Sequence, residues 1–463
     1  MKVSEATKST YGRPSYKYLR VYFPDIGLLM DEGCIRGETM NLVERTLDGK
    51  NIEFVGCISS VFEIQLQGIT QNIKGQRIEV SITADDTEEI PLFKGIVDSA
   101  LRQTNKQYKK IVAYDELYKK GNIDVAAWYN SLSFPTTLKD LRDSFFAYIG
   151  IEQEPVELPN DGMVLNKELA PTSLQARTVF KSICQINGAF GIINRYGKFE
   201  YRILTDIKTT DGAYPGLTLF PPFYPGVSVS SGGQGMAEQP ISFYRKVDYE
   251  EYSVKPVERV TIRQTESDTG VSYGEGTNNY IIQGNMFTVN KSASELATIA
   301  QNIHGSIAGI EFVPFTSDNS GFPFIEVGLD AVSYYTYDFE ASTARNTDVY
   351  TKKVFYVFNR TLKGIQALRD SYSVQGEEYQ REFITDLQTQ VETLKNNLSA
   401  EVGSQVSVQL EQKIPEVTYT KEEVDRLIAE IKAGMFGVKS VDNPPSNPER
   451  NTIYLIKGEV TVT

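Results

Sequence analysis

The sequence predicts a mainly β protein with an α+β insertion: two barrel-like β domains, a helix-hairpin domain, a C-terminal coiled-coil stem and a small β cap. Short runs that alternate apolar and polar residues fill the first 120 positions and return after residue 241, as in antiparallel strands. Apolar residues at helical spacing appear between these regions and again beyond residue 381. The 27 Tyr and 23 Phe residues also favour strands.

The chain of 463 residues is too long for one compact core, because domains usually run about 100–200 residues. The changes in pattern divide it into a first β domain (1–120), an α+β insertion with a loop (121–240), a second β domain with one helix (241–380), a helical stem (381–435) and a β cap (436–463). The Pro- and Gly-rich stretch 215–240 indicates a domain boundary or a long surface loop.

The predicted strands of the two β domains are short and separated by Gly, Asp or Asn. In the first domain they are 18–23, 61–66, 78–83, 92–97 and 110–114, and in the second they are 257–263, 280–282, 324–327 and 354–358. Many short strands at this spacing are typical of barrels or sandwiches. One helix, 292–303, is predicted within the second domain from its apolar stripe.

The insertion is predicted to hold two helices and a hairpin. Thr137 is placed to cap a helix over 138–148 that ends at Gly150. A second helix is expected to start near 172–173 and to stop at Gly188. A hairpin with strands 190–193 and 198–203 follows.

The stem is predicted from heptad spacing. Its apolar residues follow at steps of three, four, three and four, which is a coiled-coil seam: Ile384, Leu387, Val391, Leu394 and Leu398. Apolar residues then recur at steps of four as far as residue 414, a drift that resembles a stutter. The favoured interpretation is an oligomer-forming coiled coil, and the alternative is a helix packed along its own domain.

A second stem helix and the cap complete the predicted oligomer contacts. Thr420 and Glu423 match a capping box after Pro415, and Gly434 and Gly437 close the helix. The apolar face of this helix, also predicted to join the oligomer, comprises Val424, Leu427, Ile428 and Ile431. The cap, with strands 452–456 and 459–462, is too small to fold alone, so it is expected to sit on the end of a trimer.

The composition disfavours several chemistries. A net charge of −13 argues against strong nucleic-acid binding. The favoured interpretation is that this charge only provides solubility, and the alternative is an acidic channel past which DNA would slide. Cys34, Cys57 and Cys184 form no disulfide framework or thiolate metal pattern and are expected to stay reduced. The start of the chain does not resemble a signal peptide, and no run reaches about 18 apolar residues. Synthesis in the cytoplasm is expected.

No catalytic set, cofactor site or metal site is predicted. His304 is the single histidine, and its position near a helix C-terminus favours an interaction with the helix dipole over catalysis. The segment 266–270 carries two carboxylates but lacks a dense calcium-loop pattern, so an ordinary turn is favoured. The protein is therefore expected not to be an enzyme.

Several segments resemble the phage tail hub and tail-associated protein family. Residues 92–98 (LFKGIVD) and 110–118 (KIVAYDELY) resemble the strand pair that ends the first barrel of these proteins. Residues 176–191 (ARTVFKSICQINGAFG) and 195–200 (RYGKFE) are similar to the family's helix and hairpin. Residues 359–370 (NRTLKGIQALRD) resemble the end of the second barrel, and 419–425 (YTKEEVD) is similar to a segment near trimeric phage-fibre stems.

The resemblance implies two related barrels per chain and a homotrimer whose six barrels form a ring at the distal end of a tail tube. The implied partners are the sixfold tube, a threefold tip and DNA that passes without specific binding, and the implied location is the distal tail of the virion.

Two alternatives stay open. A receptor-binding or fibre-attachment protein would use aromatic loops such as 220–226 on a host surface. A cell-wall hydrolase is disfavoured because the C-terminal catalytic domain of some relatives has no counterpart here.

Overall fold

The computed structural model describes residues 1, 3–47, 57–85, 87–104, 107–205, 236–241, 243–265 and 268–377, together with the backbone of 383–384, 437–441 and 452–456. The chain divides into two compact units, Met1–Leu394 and Lys395–Thr463. The first unit contains both predicted β domains and the insertion between them, so these three regions share one body.

The first β domain follows the predicted alternation. Its elements are α1 (Glu5–Tyr11), β1 (Lys17–Phe23), β2 (Leu28–Met30), β3 (Asn41–Arg45), β4 (Val61–Gln67), β5 (Arg77–Ala84), β6 (Ile90–Arg102) and β7 (Tyr108–Tyr114). In β1 every second side chain is buried and the others face solvent, as period-two patterning requires. All five predicted strands of this domain are confirmed. The sequence reasoning missed α1, β2 and β3.

The insertion contains the predicted helices and hairpin. Its elements are α2 (Glu116–Lys120), α3 (Ala126–Ser131), β8 (Thr136–Thr137), α4 (Leu138–Ile149), β9 (Val164–Leu165), α5 (Ala176–Asn187), β10 (Phe190–Ile193) and β11 (Phe199–Arg202). The Thr137 side chain accepts from the Asp140 amide, and Gly150 ends α4 in the left-handed conformation. Helix α5 starts later than predicted because Asp124 accepts hydrogen bonds from Ser173 and Leu174.

The second β domain is larger than its pattern indicated. It comprises β12 (Ala237–Pro240), β13 (Tyr244–Tyr249), β14 (Arg259–Arg263), β15 (Val271–Gly274), β16 (Asn279–Gln283), α6 (Ala293–Ile307), β17 (Phe315–Ser320), β18 (Asp330–Tyr337), α7 (Phe339–Arg345), β19 (Tyr350–Tyr356), β20 (Asn359–Lys363), β21 (Arg369–Val374) and β22 (Phe383–Ile384). The Ser292–Glu295 capping box starts α6, which continues through Gly305 and so runs beyond its predicted end.

The expectation of two separate barrels is corrected by one continuous sheet. Eleven strands are ordered β13-β17-β21-β20-β3-β4-β7-β6-β5-β1-β2, and no closed barrel is formed in the part of the chain that the structure describes. The two β domains join where β3 pairs antiparallel with β20, which places Leu42 opposite Leu362. Both leucines are fully buried. Each domain thus uses its open strand edge to satisfy the backbone groups of the other.

The predicted strand 324–327 is wrong, since this segment is a series of turns. The carbonyl oxygens of Phe322, Ile325 and Val327 accept hydrogen bonds from arginine side chains instead of from a neighbouring strand. Of the predicted loop 215–240, only 236–240 is described, and it contains β12.

The stem and the cap are described at few positions. Phe383–Ile384 forms a short strand beside β16, with Ile384 opposite Ile281, so the predicted helical seam does not include Ile384. The other predicted stem contacts lie outside the described residues: Leu387, Val391, Leu394, Leu398, Val424, Leu427, Ile428 and Ile431. Within the second unit, β23 (Gly437–Val441) pairs parallel with β24 (Thr452–Ile456), which confirms the first cap strand and makes Gly437 a strand residue. The predicted strand 459–462 also lies outside the described residues.

Candidate assembly surfaces and a buried charged junction

A cluster of buried charged side chains lies where the two β domains and the insertion meet. We call it the charged junction, and it consists of Glu44, Arg195, Arg202, Glu326, Arg360 and Asp370. Glu44 comes from β3 of the first domain. Arg195 follows β10 and Arg202 lies on β11, whereas the other three belong to the second domain. The junction therefore connects all three regions of the first unit through side chains that are nearly inaccessible to water.

Arg360 is the centre of this junction. Its Nη2 lies 2.8 Å from Asp370 Oδ2, and its Nη1 lies 3.0 Å from Glu44 Oε2. The remaining donor capacity goes to the carbonyl oxygens of Phe322 and Ile325, at 3.0 and 2.7 Å. Burial alone would lower the pKa of Arg360, but the carboxylates of Asp370 and Glu44 outweigh it and hold that pKa above its ordinary value. Arg360 therefore stays charged although it is fully buried.

Glu326 is the second centre. The Nη2 atom of Arg202 lies 3.4 Å from Glu326 Oε1, and the Nε of Arg195 lies 3.9 Å from the same oxygen. The α-amino group of Met1 contacts the other oxygen at 2.5 Å. Burial would raise the pKa of Glu326, but these three cations lower it to about 2. Glu326 is consequently ionised under all ordinary conditions.

The charged junction connects the two β domains directly, through the ion pair between Arg360 and Glu44. A buried ion pair adds little net stability over well-packed apolar residues, but removing one partner costs about 3–5 kcal/mol, because a buried charge is left without compensation. Arg195, Arg360 and Asp370 lie within or at the end of segments that carry the family resemblance. Sequence reasoning gave them no role, because the spacing along the chain does not reveal which distant charges meet.

An exposed aromatic surface lies on the β18–β19 hairpin. We call it the hairpin patch, and it consists of Tyr244, Tyr335, Tyr337, Phe339 and Tyr350. Tyr337 and Tyr350 are opposite each other in the register, and their ring centroids are 5.7 Å apart. The Tyr244 hydroxyl donates to the Tyr335 carbonyl over 2.7 Å, which attaches β13 to the hairpin. Phe339 is 73% exposed, although it is among the most apolar side chains of the protein.

A second exposed apolar surface lies on β1 and β2. We call it the edge patch, and it consists of Tyr16, Tyr18, Tyr22 and Leu29. Tyr18 and Tyr22 share the solvent face of β1, and Leu29 is the register partner of Tyr22. The rings of Tyr16 and Tyr18 are in edge contact, with centroids 4.8 Å apart. Tyrosine and phenylalanine exposed in groups are typical of protein interfaces.

The two patches belong to opposite ends of the strand order. Strand β13, which reaches the hairpin patch through Tyr244, is the first strand of the eleven-stranded sheet, and β1 and β2 are the last two. Both sheet ends carry features that discourage uncontrolled strand addition. Strand β13 has a bulge at Arg245 and charged residues, and β2 is only three residues long. Side-chain contacts are therefore the better candidates for assembly than added strands.

The residues weighed as chemical candidates have structural partners. His304 lies in the last turn of α6, and its Nε2 is 3.0 Å from the carbonyl oxygen of Glu258, so it fastens the helix to the start of β14. Asp268 accepts hydrogen bonds from the amides of Gly270 and Gln264, which is the predicted turn. Glu266 lies outside the described residues.

Few features in the described part of the chain suit ligand binding. In the described ranges, no group of three or more His, Cys, Asp or Glu side chains could hold a metal ion. No helix among them is both long and apolar enough to cross a bilayer. An open polar cleft of about 240 Å³ lies over the β3–β20 join and is lined by Arg45, Leu47, Asn359, Arg360, Thr361, Ser373 and Gln375.

Comparison with known proteins gives likenesses of fold alone. No protein-family model matches the sequence, and neither does any curated protein. The structural neighbours are tail proteins, two of them from prophages. A tail protein from Neisseria meningitidis MC58 has a TM-score of 0.42 and 13% identity, covering 77% of this chain and 95% of its own. The 43 kDa tail protein of prophage MuSo2 from Shewanella oneidensis has a TM-score of 0.44 and 9% identity, and the match covers 78% of this chain and 96% of that protein. Prophage tail protein gp18 from Listeria monocytogenes EGD-e has a TM-score of 0.41 and 8% identity, and the match covers 82% of this chain and 99% of that protein.

Proposed function

We propose that this chain is a non-enzymatic structural protein of a phage or phage-like tail, which forms a homotrimeric hub at the distal end of the tail tube. The observation that carries the proposal is the presence of two different exposed aromatic patches at opposite ends of one continuous sheet. Two dissimilar patches on one chain fit a head-to-tail contact, in which the hairpin patch of one copy meets the edge patch of the next. Such contacts generate a ring when the rotation closes.

The joined β domains support a ring of the expected symmetry. Each chain contributes two β domains that the charged junction holds at a fixed angle, so three chains contribute six. The sequence segments that resemble tail hubs span both domains, and a ring of six domains from three chains would match a sixfold tube above and a threefold tip below.

The partners and the stem follow from the same proposal. The tail tube and the distal tail proteins would contact the two faces of the ring, and DNA would pass through without specific binding, which suits a net charge of −13. The heptad residues from Leu387 to Leu398 and the apolar face from Val424 to Ile431 would form a trimeric stem. The protein would be synthesised in the host cytoplasm and would function in the virion.

A receptor-binding or fibre-attachment role is the second candidate, and the hairpin patch is the observation that favours it. Exposed Tyr337, Phe339 and Tyr350 could stack on the apolar faces of sugar rings. Under that reading the patch stays exposed in the oligomer and binds host glycans, whereas in the hub it is buried between subunits.

The test combines oligomer mass with patch variants. We expect mass photometry to give a trimer and negative-stain images to show threefold particles with a central passage. Tyr337→Ser with Tyr350→Ser should dissociate the ring, because interface aromatics contribute about 2 kcal/mol or more each. Tyr196→Ser is the matched control, since Tyr196 is equally exposed but lies on a turn of the insertion. A wild-type monomer in both measurements, or images of the double variant that still show a closed ring, would contradict the hub assignment.

A further inference from the structure

Two cysteines from distant parts of the sequence lie side by side. Cys57 precedes β4, and Cys184 lies within α5, 127 positions later. Their Sγ atoms are 3.7 Å apart, and both thiols are free. Cys184 is fully buried, whereas Cys57 is half-buried. The pair joins the first β domain to the insertion.

Both sulfurs lie next to the backbone of one glycine, Gly191. A Cβ atom added to Gly191 of β10 would lie 2.9 Å from the Cys184 sulfur and 3.0 Å from the Cys57 sulfur. Because Gly191 has no side chain, both sulfurs can occupy positions that a Cβ atom there would crowd. The backbone of Cys57 also pairs with Gly191 in an isolated parallel bridge, which fixes the chain at this point. The thiol pair is a built arrangement and not a chance approach of two mobile side chains.

We propose that Cys57 and Cys184 are an oxidation site, which a thiol oxidant converts into an intramolecular disulfide. An S–S bond is about 2.05 Å long, so the two sulfurs must approach by roughly 1.7 Å for the bond to form. Burial and the neighbouring Cys57 raise the pKa of the Cys184 thiol, which leaves Cys57 as the first thiol to react.

The reaction with a diazene oxidant such as diamide balances in two steps. The Cys57 thiolate adds to one nitrogen of the N=N bond, and the other nitrogen takes up a proton. The Cys184 sulfur then attacks the Cys57 sulfur, so that the S–S bond forms and the S–N bond breaks, and the leaving nitrogen takes up the second proton. Two thiols lose two electrons and the diazene becomes a hydrazine.

The bond would form after the protein leaves a reducing compartment. Cytosolic glutathione and thioredoxin keep thiols reduced, whereas disulfides persist outside the cell. The moment of oxidation rests on the proposed role in a virion, but the existence of the site does not. Because the crosslink closes a long segment of chain, it should stabilise the fold by restricting the unfolded state.

The test uses the full-length wild-type protein, purified with reductant and then exposed to diamide. We expect the count of free thiols to fall from three to one, with Cys34 remaining, and the intact mass to fall by two hydrogen atoms. Peptide mapping without reductant should give a peptide containing Cys57 joined to one containing Cys184, and dithiothreitol should separate them. Three free thiols after oxidation, or a bond that involves Cys34, would overturn the proposal.

Variants and heating provide independent readouts. Cys34→Ser is the matched control and should still lose two thiols, while Cys57→Ser should lose none. The oxidised wild type should melt at a higher temperature than the reduced form, and a lower melting temperature would contradict a bond that fits the native packing. None of these outcomes depends on the oligomeric state, so failure of the hub proposal and failure of this one are distinguishable.

Discussion

Replacing Arg360 by Met tests whether the charged junction holds the two β domains together. Methionine follows the arginine side chain only as far as the Nε position, so the change keeps the apolar stem and removes the charge and the donors. It leaves the fully buried carboxylate of Asp370 and the nearly buried one of Glu44 without their main cation. It also removes one of two donors from each of two carbonyl oxygens: that of Phe322 keeps the Ile325 amide, and that of Ile325 keeps Arg195.

The magnitude follows from the burial of the pair. Breaking a buried ion pair from one side costs about 3–5 kcal/mol, and we expect a loss of that size in the free energy of unfolding. Asp370→Asn in the same chain should recover part of the loss, because a neutral amide can still accept from the Tyr372 hydroxyl and the Phe322 amide. The double-mutant cycle should therefore give a coupling energy of about 1–3 kcal/mol between positions 360 and 370.

The assay is urea unfolding followed by circular dichroism and by the fluorescence of Trp128, which is buried in the insertion. Arg245→Met is the matched control. Arg245 is 63% exposed and meets Asp318 only at 4.0 Å, so its loss should cost less than about 1 kcal/mol. An Arg360→Met protein that unfolds at the same urea concentration as the Arg245→Met protein would refute the reasoning.

Two further predictions concern acid and the stem. The pKa of Glu326 falls from 4.5 to about 2 on folding, so its ionised form contributes stability that is present above pH 4.5 and is lost as the pH falls towards 2. The contribution is at most about 3 kcal/mol, and Glu326→Gln should flatten the stability profile in this range, whereas an unchanged profile would contradict the assignment. Leu387→Asp with Leu394→Asp should dissociate the stem, since unpaired charges in a coiled-coil seam are costly. In a chain that also carries Tyr337→Ser and Tyr350→Ser, an oligomer mass unchanged by the two stem substitutions would refute that stem interface.

The sequence predicts the elements whose signals are local. The alternation along β1 and the apolar stripe along α6 each depend on nearby residues. Strand β1 forms where expected, and α6 begins where expected but runs beyond its predicted end. Strand β17 shows why others were missed. After Phe315 it reads Thr-Ser-Asp-Asn-Ser, which has little strand propensity. Its buried Ser317 accepts a hydrogen bond from Tyr334, and the side-chain amide of Asn319 donates to the Asp370 carbonyl, so both partners come from other strands.

The join between the β domains was not predictable for the same reason. Strands β3 and β20 are separated by more than three hundred residues, and nothing in either strand specifies the other as its partner. The alternation of apolar residues specifies which face of each strand is buried. It does not specify whether the edge strands of a domain pair with each other, as in a barrel, or with strands of the other domain. Only the matching of backbone edges and of distant charges decides between these arrangements.

The join and the exposed patches have a combined consequence for assembly. In a head-to-tail ring, the number of subunits depends on the angle between the two contact surfaces of one chain, because only a fixed rotation returns to its starting point after three steps. The hairpin patch and the edge patch lie at opposite ends of the sheet, so this angle is set by the β3–β20 join and by the charged side chains packed behind it. A looser join would permit rings of several sizes or open chains, even with both patches intact. In the proposed hub, buried charges that contribute little net stability would still have a role, since they would restrict the geometry that a closed ring requires.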